Sequence, residues 1–250
     1  MIGVPPVGIT RRAVLAAVSA FAIAAMVRPW QAMAQTMDGG KMPVGVIGSG
    51  KIGGTVGRLW IKAGHPVLFS SRHPEELASM VKELGPLAKA GTVAQAIAFS
   101  DVLLLAIPYG AYPAFGKEYD VSLKGKIVLD AGNASAGRDG AAIAAEVEKN
   151  GIGVTSQKYL PDARLVRAFN TLGYTVLARE ANRPPPRLGI PIAGDDAAAL
   201  RIAAGLARDA GFDPVVVGNL DGARKIQRGN PGYGQAVSAA ELKQKLGLAP

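Results

Sequence analysis

The sequence predicts an α/β protein built on a doubly wound, mostly parallel sheet. The chain of 250 residues is 49% apolar but only 6% aromatic, so its core must consist mainly of Val, Ile, Leu and Ala. Short aliphatic runs also alternate along the chain with Ala-rich stretches of helical periodicity. Strands that are buried on both faces of a parallel sheet have this aliphatic character, and the length suits one large or two small domains.

Composition and charge exclude several classes of protein. The chain has no Cys, which excludes a disulfide-stapled mini-protein and a cysteine-ligated zinc or iron–sulfur site. Lys and Arg number 28 against 19 Asp and Glu, a positive balance that favours anionic ligands such as phosphates. These charges are scattered and no nucleic-acid motif accompanies them, so we expect no nucleic-acid partner.

The first 34 residues are predicted to be an export signal and not part of the fold. Arg11 and Arg12 precede an uncharged apolar run from Ala13 to Val27, and Ala32-Met33-Ala34 follows as a small-x-small cleavage site. The run would reach only about 22 Å as a helix, so we expect no stable membrane span after cleavage. The paired arginines are typical of a twin-arginine signal, and an ordinary secretory signal is the alternative. A periplasmic or secreted protein is therefore expected, and the absence of Cys fits such an oxidising compartment.

The mature chain opens with a glycine turn between a strand and a helix. The apolar run 43–47 leads into Gly48, Gly50 and Gly53, apolar residues then recur at helical spacing, and a second strand is predicted at 66–70. In such a unit the first glycine permits a tight turn, the second lets the backbone approach a pyrophosphate, and the third lets the helix pack on the strand. The N–H groups at the helix start would hold the phosphate charge. The pattern thus predicts a dinucleotide-binding Rossmann unit, with a plain flexible loop as the alternative.

The end of the second strand indicates which dinucleotide binds. Ser71, Arg72 and His73 stand there, and no acid occurs before Glu75. A carboxylate would repel a 2′-phosphate, whereas a hydroxyl and a guanidinium would bind it, so we predict NADP. In the alternative interpretation Ser71 caps a helix that begins near Pro74 and Arg72 is a solvated charge. His73 is either a third contact or a surface residue.

Further strands and helices continue the alternation. We predict helices at 75–84 and 94–99 and strands at 102–107 and 127–130. Ligands of a doubly wound sheet lie beyond the carboxyl ends of the strands. The segments 106–109 and 131–133 should therefore line the nicotinamide side of the crevice.

The second half of the chain should extend the same sheet. Strands are predicted at 165–170, 189–193 and 214–217, with a helix before Gly211 that is capped by Asp195 and has Asp196 near its positive end. The two acids have no histidine or further acid nearby, so no metal site is predicted. We expect a dinucleotide-binding domain at 43–155, and residues 156–250 to complete the sheet and a substrate pocket.

The order of the motifs resembles the NADPH:8-hydroxy-5-deazaflavin oxidoreductase family, which uses coenzyme F420. The resemblance covers roughly residues 43–220, and the segments that carry it are 48–53, 71–72, 106–108, 124–130, 167–171 and 193–196. It implies that three residues of the turn contact the pyrophosphate or ribose, namely Ser49, Lys51 and Ile52. It further implies that Ser71 and Arg72 hold the 2′-phosphate. The residues it implies for the nicotinamide neighbourhood are Ile107, Pro108 and Asn133. Ala106 is predicted there by its place at the carboxyl end of the preceding strand. A deazaflavin partner and a homodimer are also implied by the family.

Hydride passes directly between ring carbons, so no catalytic side chain is predicted. We expect an NADP(H)-dependent oxidoreductase that transfers hydride between NADPH and a second redox cofactor, a deazaflavin by resemblance, or a small acceptor. A non-catalytic NADP-binding sensor or scaffold is the alternative. A hydroxy-acid or imine dehydrogenase would need a polar side chain beside the nicotinamide, for which Lys158 and Tyr159 are the nearest candidates.

Overall fold

A computed structural model describes residues 41–249, so the predicted export signal lies outside the described part of the chain. Within it, eight strands form one sheet in the order β3-β2-β1-β4-β5-β6-β7-β8. The strands are β1 Val44–Ile47, β2 Val67–Ser70, β3 Ala88–Gly91, β4 Val102–Leu105, β5 Ile127–Asp130, β6 Arg164–Arg167, β7 Gly189–Gly194 and β8 Asp213–Gly218.

Helices connect the strands and cover both faces of the sheet. The α-helices of the described residues are α1 Lys51–Lys62, α2 Ala78–Leu84, α3 Val93–Phe99, α4 Tyr112–Leu123, α5 Ala136–Asp139, α6 Ala141–Asn150, α7 Ile152–Tyr159, α8 Tyr174–Glu180, α9 Ala197–Asp209 and α10 Ala239–Lys245. Short 3₁₀ turns occupy Pro74–Leu77, Tyr109–Ala111 and Gly222–Ile226. Among residues 41–249, no helix combines the length and the apolar character needed to cross a membrane.

The strand order places a topological switch point at β1. Strand β1 pairs in parallel with β2 on one side and with β4 on the other. The sheet therefore grows from β1 first in one direction, through β2 and β3, and then in the other, from β4 onwards. All neighbouring strands are parallel except β6 and β7, which are antiparallel. The predicted doubly wound, mostly parallel sheet is confirmed, and β7 and β8 extend it beyond β6. A ligand crevice is expected where the connections diverge, beyond the carboxyl ends of β1 and β4.

Two apolar layers hold the helices on the sheet. On one face, Trp60 of α1 packs edge-on against Phe169, with ring centroids 5.8 Å apart, and donates a hydrogen bond from Nε1 to the carbonyl oxygen of Leu206 at 2.9 Å. On the other face Tyr109 stacks on Tyr112, with centroids 4.5 Å apart. The aliphatic strands contribute to both layers because they are buried on both sides.

Three local features differ from the expectations. Strand β3, which pairs with β2, was not predicted, because Ala88-Lys89-Ala90-Gly91 has little of the β-branched character of strands. The strand predicted at 165–170 ends at Arg167, since Phe169 has a φ of +58° and turns the chain. The predicted cap Asp195 was wrong: Asp196 caps α9 by accepting from the Ala199 backbone at 2.8 Å. Asp195 instead accepts a hydrogen bond from the backbone of Leu220.

Candidate functional site

The glycine turn after β1 meets the requirements of a phosphate-binding turn. Gly48 has a φ of +93°, and a Cβ placed on it would lie 2.7 Å from the carbonyl oxygen of Ala106. A Cβ on Gly53 would overlap the carbonyl oxygen of Gly48, so only glycine lets α1 pack at this distance. Gly48 and Gly53 are therefore required by the fold itself.

Gly50 differs from these two because nothing inside the protein requires a glycine there. Its φ is −71°, which any residue adopts, and a Cβ on it would meet nothing within 4 Å in the described residues. Gly50 also precedes α1, whose first N–H groups point out of the helix. The open space fits a phosphate group held against bare backbone at a helix start.

The turn is joined to the end of β2, where the residues predicted to select NADP follow. Ser49 donates a hydrogen bond from Oγ to the carbonyl oxygen of Ser70 at 2.9 Å. Ser71 donates its backbone N–H to Gly91 of β3. Arg72 is exposed, and its guanidinium forms no hydrogen bond or ion pair with any of residues 41–249. An exposed cation beside the glycine turn suits a 2′-phosphate.

The neighbours of Arg72 contact one another and the turn that follows. His73 donates its backbone N–H to Ser71 Oγ at 3.1 Å, and its Nδ1 lies 3.4 Å from Glu75 Oε1. The 3₁₀ turn at Pro74–Leu77 has His73 at its cap position and no side-chain cap. Ser71 therefore does not cap this turn, and the contact predicted for His73 stays a prediction.

The segments predicted to line the nicotinamide side lie next to one another. Ala106, Ile107 and Pro108 follow β4, and the Ala106 N–H donates to the carbonyl oxygen of Ile47 in β1 at 2.8 Å. Asn133 follows β5, which pairs with β4 in parallel. Because parallel strands bring their carboxyl ends to one edge, these residues meet the glycine turn there. Lys51 lies at the start of α1, with Nζ 5.2 Å from the centroid of the Tyr174 ring, and Ile52 is half-buried behind it.

Asn133 also connects this edge to the C-terminal part of the chain. Its Nδ2 donates to the carbonyl oxygen of Asn170 after β6 at 2.7 Å. Asn170 in turn donates from Nδ2 to the carbonyl oxygen of Ile226 at 3.2 Å. The segment after β8 is thereby held over the carboxyl ends of β5 and β6.

Asp139 holds two loops of the crevice together, a role that no motif in the sequence predicts. It accepts from the backbone N–H of Gly110 at 2.9 Å and from that of Ser135 at 2.8 Å, and it pairs with Arg138. Burial acts to raise the pKa of Asp139, but the hydrogen bonds from Arg138, Gly110 and Ser135 outweigh it and lower that pKa. The loops after β4 and β5 thus depend on an ionised carboxylate.

A fully buried polar network lies behind Asn133. Asp130, the last residue of β5, pairs with Arg167, the last residue of β6, and both side chains are completely buried. Tyr112 donates its hydroxyl to Asp130 Oδ1 at 2.6 Å. Burial and the negative charge of Asp130 raise the pKa of Tyr112 well above its usual value, so the hydroxyl stays protonated. Burial acts to lower the pKa of Arg167, but Asp130 and the tyrosines outweigh it and raise that pKa.

A cavity of about 290 Å³ opens beside Asn133. It is lined by Ala134, Ser135, Ala136, Ala144, Val147, Glu148, Ile152, Gln227 and Arg228. The walls combine apolar side chains with polar ones, and Arg228 makes no hydrogen bond or ion pair within the described residues. The cavity is therefore a candidate for the second substrate.

The polar residues considered for a dehydrogenase lie elsewhere. Lys158 Nζ and the Tyr159 hydroxyl both bind Glu146, each at 2.6 Å. They stand at the end of α7, which leads into β6 and so lies at the amino edge of the sheet. Within residues 41–249, no cluster of three or more His, Cys, Asp or Glu side chains could hold a metal ion.

The switch point, the glycine turn and the arrangement of the sheet define a class of protein: an α/β protein with a Rossmann-type dinucleotide-binding fold. Residues 43–134 match the family described as NADP oxidoreductase, coenzyme F420-dependent, which confirms the resemblance seen in the sequence.

Individual proteins are similar to this chain in sequence or in fold. Over 191 residues the chain is 26% identical to metalloreductase STEAP3 of Rattus norvegicus, covering 74% of this chain and 35% of that protein. The chain thus spans about a third of the length of this relative. A hypothetical protein from Sinorhizobium meliloti is 28% identical, with a TM-score of 0.66 over 79% of this chain and 96% of its own. A candidate F420-dependent NADP reductase from Arthrobacter sp. FB24 has the same fold, with 22% identity and a TM-score of 0.58 over 74% of this chain and 88% of its own.

Proposed function

We propose that the protein transfers hydride between NADPH and a second redox cofactor, a deazaflavin in the first instance, held in the cavity beside Asn133. The observation that carries the proposal is the unpaired Arg72, which follows the strand whose last carbonyl is bonded to Ser49 of the glycine turn. A guanidinium at this place favours a dinucleotide with a 2′-phosphate.

The residues of the chain bind and orient the two partners. The backbone at Gly50 receives the pyrophosphate, Ser71 and Arg72 bind the 2′-phosphate, and Ile107, Pro108 and Asn133 form the nicotinamide wall. NADPH supplies the hydride when it is bound. Hydride would pass directly from ring to ring, and solvent would supply the proton that the reduced deazaflavin takes up, so orientation of the two rings is the chain's contribution.

The cofactor preference is tested by titrating the protein with NADPH and NADH and following nucleotide fluorescence. We expect Arg72→Ala to weaken NADPH binding by about 1.5–3 kcal/mol and to leave NADH binding nearly unchanged. Arg201→Ala is the matched control, since Arg201 is an exposed arginine of α9 without a partner among the described residues. An unchanged NADPH to NADH preference in Arg72→Ala would exclude the 2′-phosphate role.

The acceptor is tested with a panel monitored by loss of nicotinamide absorbance. The panel contains a deazaflavin, a flavin, a quinone and ferric iron, the last because of the similarity to a metalloreductase. Arg228→Ala should raise the KM for the acceptor and leave NADPH binding unchanged, because Arg228 lines the cavity. Tight NADPH binding without transfer to any acceptor would favour the non-catalytic sensor or scaffold.

The site is proposed to work outside the cytoplasm. The support is the sequence of Arg11 and Arg12 before an apolar run and a small-x-small cleavage site. Twin-arginine export carries folded proteins, so NADP would be loaded before export and retained. Cell fractionation with mass determination of the mature N-terminus tests the route, and Arg11→Lys with Arg12→Lys should block it. Nucleotide-free protein recovered from the periplasm would contradict retention.

A further inference from the structure

We propose that Asp130 and Arg167 act as positioning residues that clamp Gly132 and thereby fix the nicotinamide wall at Asn133. The inference rests on the proposed function, because it concerns the same site. It assigns a role to a buried ion pair that neither binds the dinucleotide directly nor lines the cavity.

The clamp acts on both sides of one residue. Gly132 donates its backbone N–H to Asp130 Oδ1 at 2.8 Å, and its carbonyl oxygen accepts from Arg167 Nη2. Arg167 Nη1 closes the ring on Asp130 Oδ2. The two peptide units that flank Gly132 therefore cannot rotate independently of the ion pair, and Asn133 follows directly.

The surrounding packing leaves the loop no alternative path. A Cβ on Gly132 would collide with the Tyr112 hydroxyl, so a glycine is needed where the loop crosses the ring of Tyr112. That hydroxyl is itself bound to Asp130 Oδ1. The network thus holds the loop both by hydrogen bonds to the backbone of Gly132 and by the packing of Tyr112 against it.

Stability alone does not account for the network. Removing two charges from water is costly, and a buried ion pair is often no more stabilising than apolar residues of the same volume. Arg167 also has no acceptor for its Nε among residues 41–249, although its side chain is fully buried. What the arrangement does achieve is a single orientation of the backbone before Asn133, which is the requirement for aligning two rings at reacting distance.

The test compares Arg167→Lys with Arg164→Lys. A lysine keeps the charge but lacks the planar fork that reaches Asp130 and the Gly132 carbonyl together. Arg164 is the matched control: it lies on the same strand and binds Asp196 with two hydrogen bonds of 2.9 and 2.8 Å, but at the amino edge of the sheet.

Two readouts are made on the full mature chain. In hydrogen–deuterium exchange without nucleotide, Arg167→Lys should speed amide exchange of residues 131–134, whereas Arg164→Lys should not. In steady-state kinetics with the acceptor that the wild type uses, Arg167→Lys should lower kcat roughly 10- to 100-fold and change the Kd for NADPH by less than about threefold. Arg164→Lys should leave both values at the wild-type level.

The outcomes separate the inference from the function on which it rests. A folded Arg167→Lys protein with unchanged exchange at 131–134 or unchanged kcat overturns the clamp, as does an equal loss in Arg164→Lys. If Arg167→Lys does not fold, Tyr112→Phe takes its place, because it removes only one hydrogen bond to Asp130. It should speed exchange at 131–134 and lower kcat by smaller amounts than expected for Arg167→Lys. A Tyr112→Phe protein with wild-type exchange and wild-type kcat then overturns the clamp. Failure of the wild type to bind NADPH or to transfer hydride would instead refute the proposed function, and the exchange result would still decide the clamp.

Discussion

The α-carbon of Gly53 faces the carbonyl oxygen of Gly48 so closely that a Cβ would overlap it. Helix α1 therefore lies against the end of β1 at a distance that only glycine allows. This contact sets the direction in which the first N–H groups of α1 point, and so joins the packing of the fold to the proposed binding of phosphate.

Gly53→Ala should destabilise the fold. The added methyl group meets backbone and not a flexible side chain, so we expect the free energy of unfolding to fall by about 3 kcal/mol, at the upper end of the range for overpacking. Urea unfolding followed by circular dichroism measures it. Gly205→Ala is the control, since Gly205 lies within α9 and its Cβ position has no atom from elsewhere in residues 41–249 within 4 Å; this variant should gain about 0.5–1 kcal/mol. Equal stability of the two variants would contradict the packing role of Gly53.

Gly50→Ala should separate binding from folding. Its Cβ would meet no atom of the described residues, so the unfolding midpoint should stay at the wild-type value. The methyl group would occupy the space proposed for the pyrophosphate, and NADPH affinity should fall at least about tenfold, or 1.4 kcal/mol. Calorimetric titration measures the affinity. Wild-type affinity in this variant would remove the glycine turn from the binding site.

Asp139 should make the crevice sensitive to acid. The pKa of Asp139 is lower in the folded protein than in the unfolded chain. Its contribution to the free energy of unfolding is therefore complete above the unfolded pKa of about 3.9, and it is lost as the pH falls through the folded pKa. Asp139→Asn offers one carbonyl oxygen to the two N–H groups of Gly110 and Ser135, and should cost about 1–3 kcal/mol at neutral pH.

Thermal unfolding between about pH 5 and pH 2 is the measurement, because stability then depends on the proton uptake of this carboxylate. The unfolding temperature of Asp139→Asn should change less with pH than that of the wild type. Asp101→Asn serves as the control, since Asp101 is an exposed partner of Lys126 outside the crevice. A pH profile of Asp139→Asn that is as steep as that of the wild type would show that other carboxylates are responsible.

The helix cap at Asp196 should tolerate Asn better than Ala. Asp196→Ala removes the acceptor for the Ala199 N–H and should cost about 1 kcal/mol, whereas Asn remains a good cap. Asp196→Asn loses only the ion pair with Arg164, and chemical unfolding should place it between the wild type and Asp196→Ala. Equal losses in the two variants would assign the effect to the ion pair and not to the cap.

The sequence predicts well what is decided locally. The aliphatic runs of β1, β2, β4 and β5, and the glycines between β1 and α1, carry their own signals of buried strand and tight turn. Since parallel strands end at one edge, these signals also place Ser71, Arg72, Pro108 and Asn133 beside the turn.

The sequence predicts poorly what depends on partners far away in the chain. Strand β3 forms because its backbone pairs with that of β2, and not because the residues Ala88–Gly91 favour a strand. Asp130 and Arg167 were not predicted to pair, because no spacing rule pairs side chains 37 positions apart. Helices α6 and α7 were missed as well, although they cover the sheet behind the crevice.

The exposed border strand of the sheet has a practical use. Strand β8 forms the outer border of the sheet, four places removed from β4, and its Val216 is 52% exposed. Because the native chain has no thiol, Val216→Cys would create a unique point for attaching a fluorophore or wiring the protein to an electrode. A group attached there would lie four strands away from β4, so it would leave the crevice at the carboxyl ends of β1 and β4 accessible.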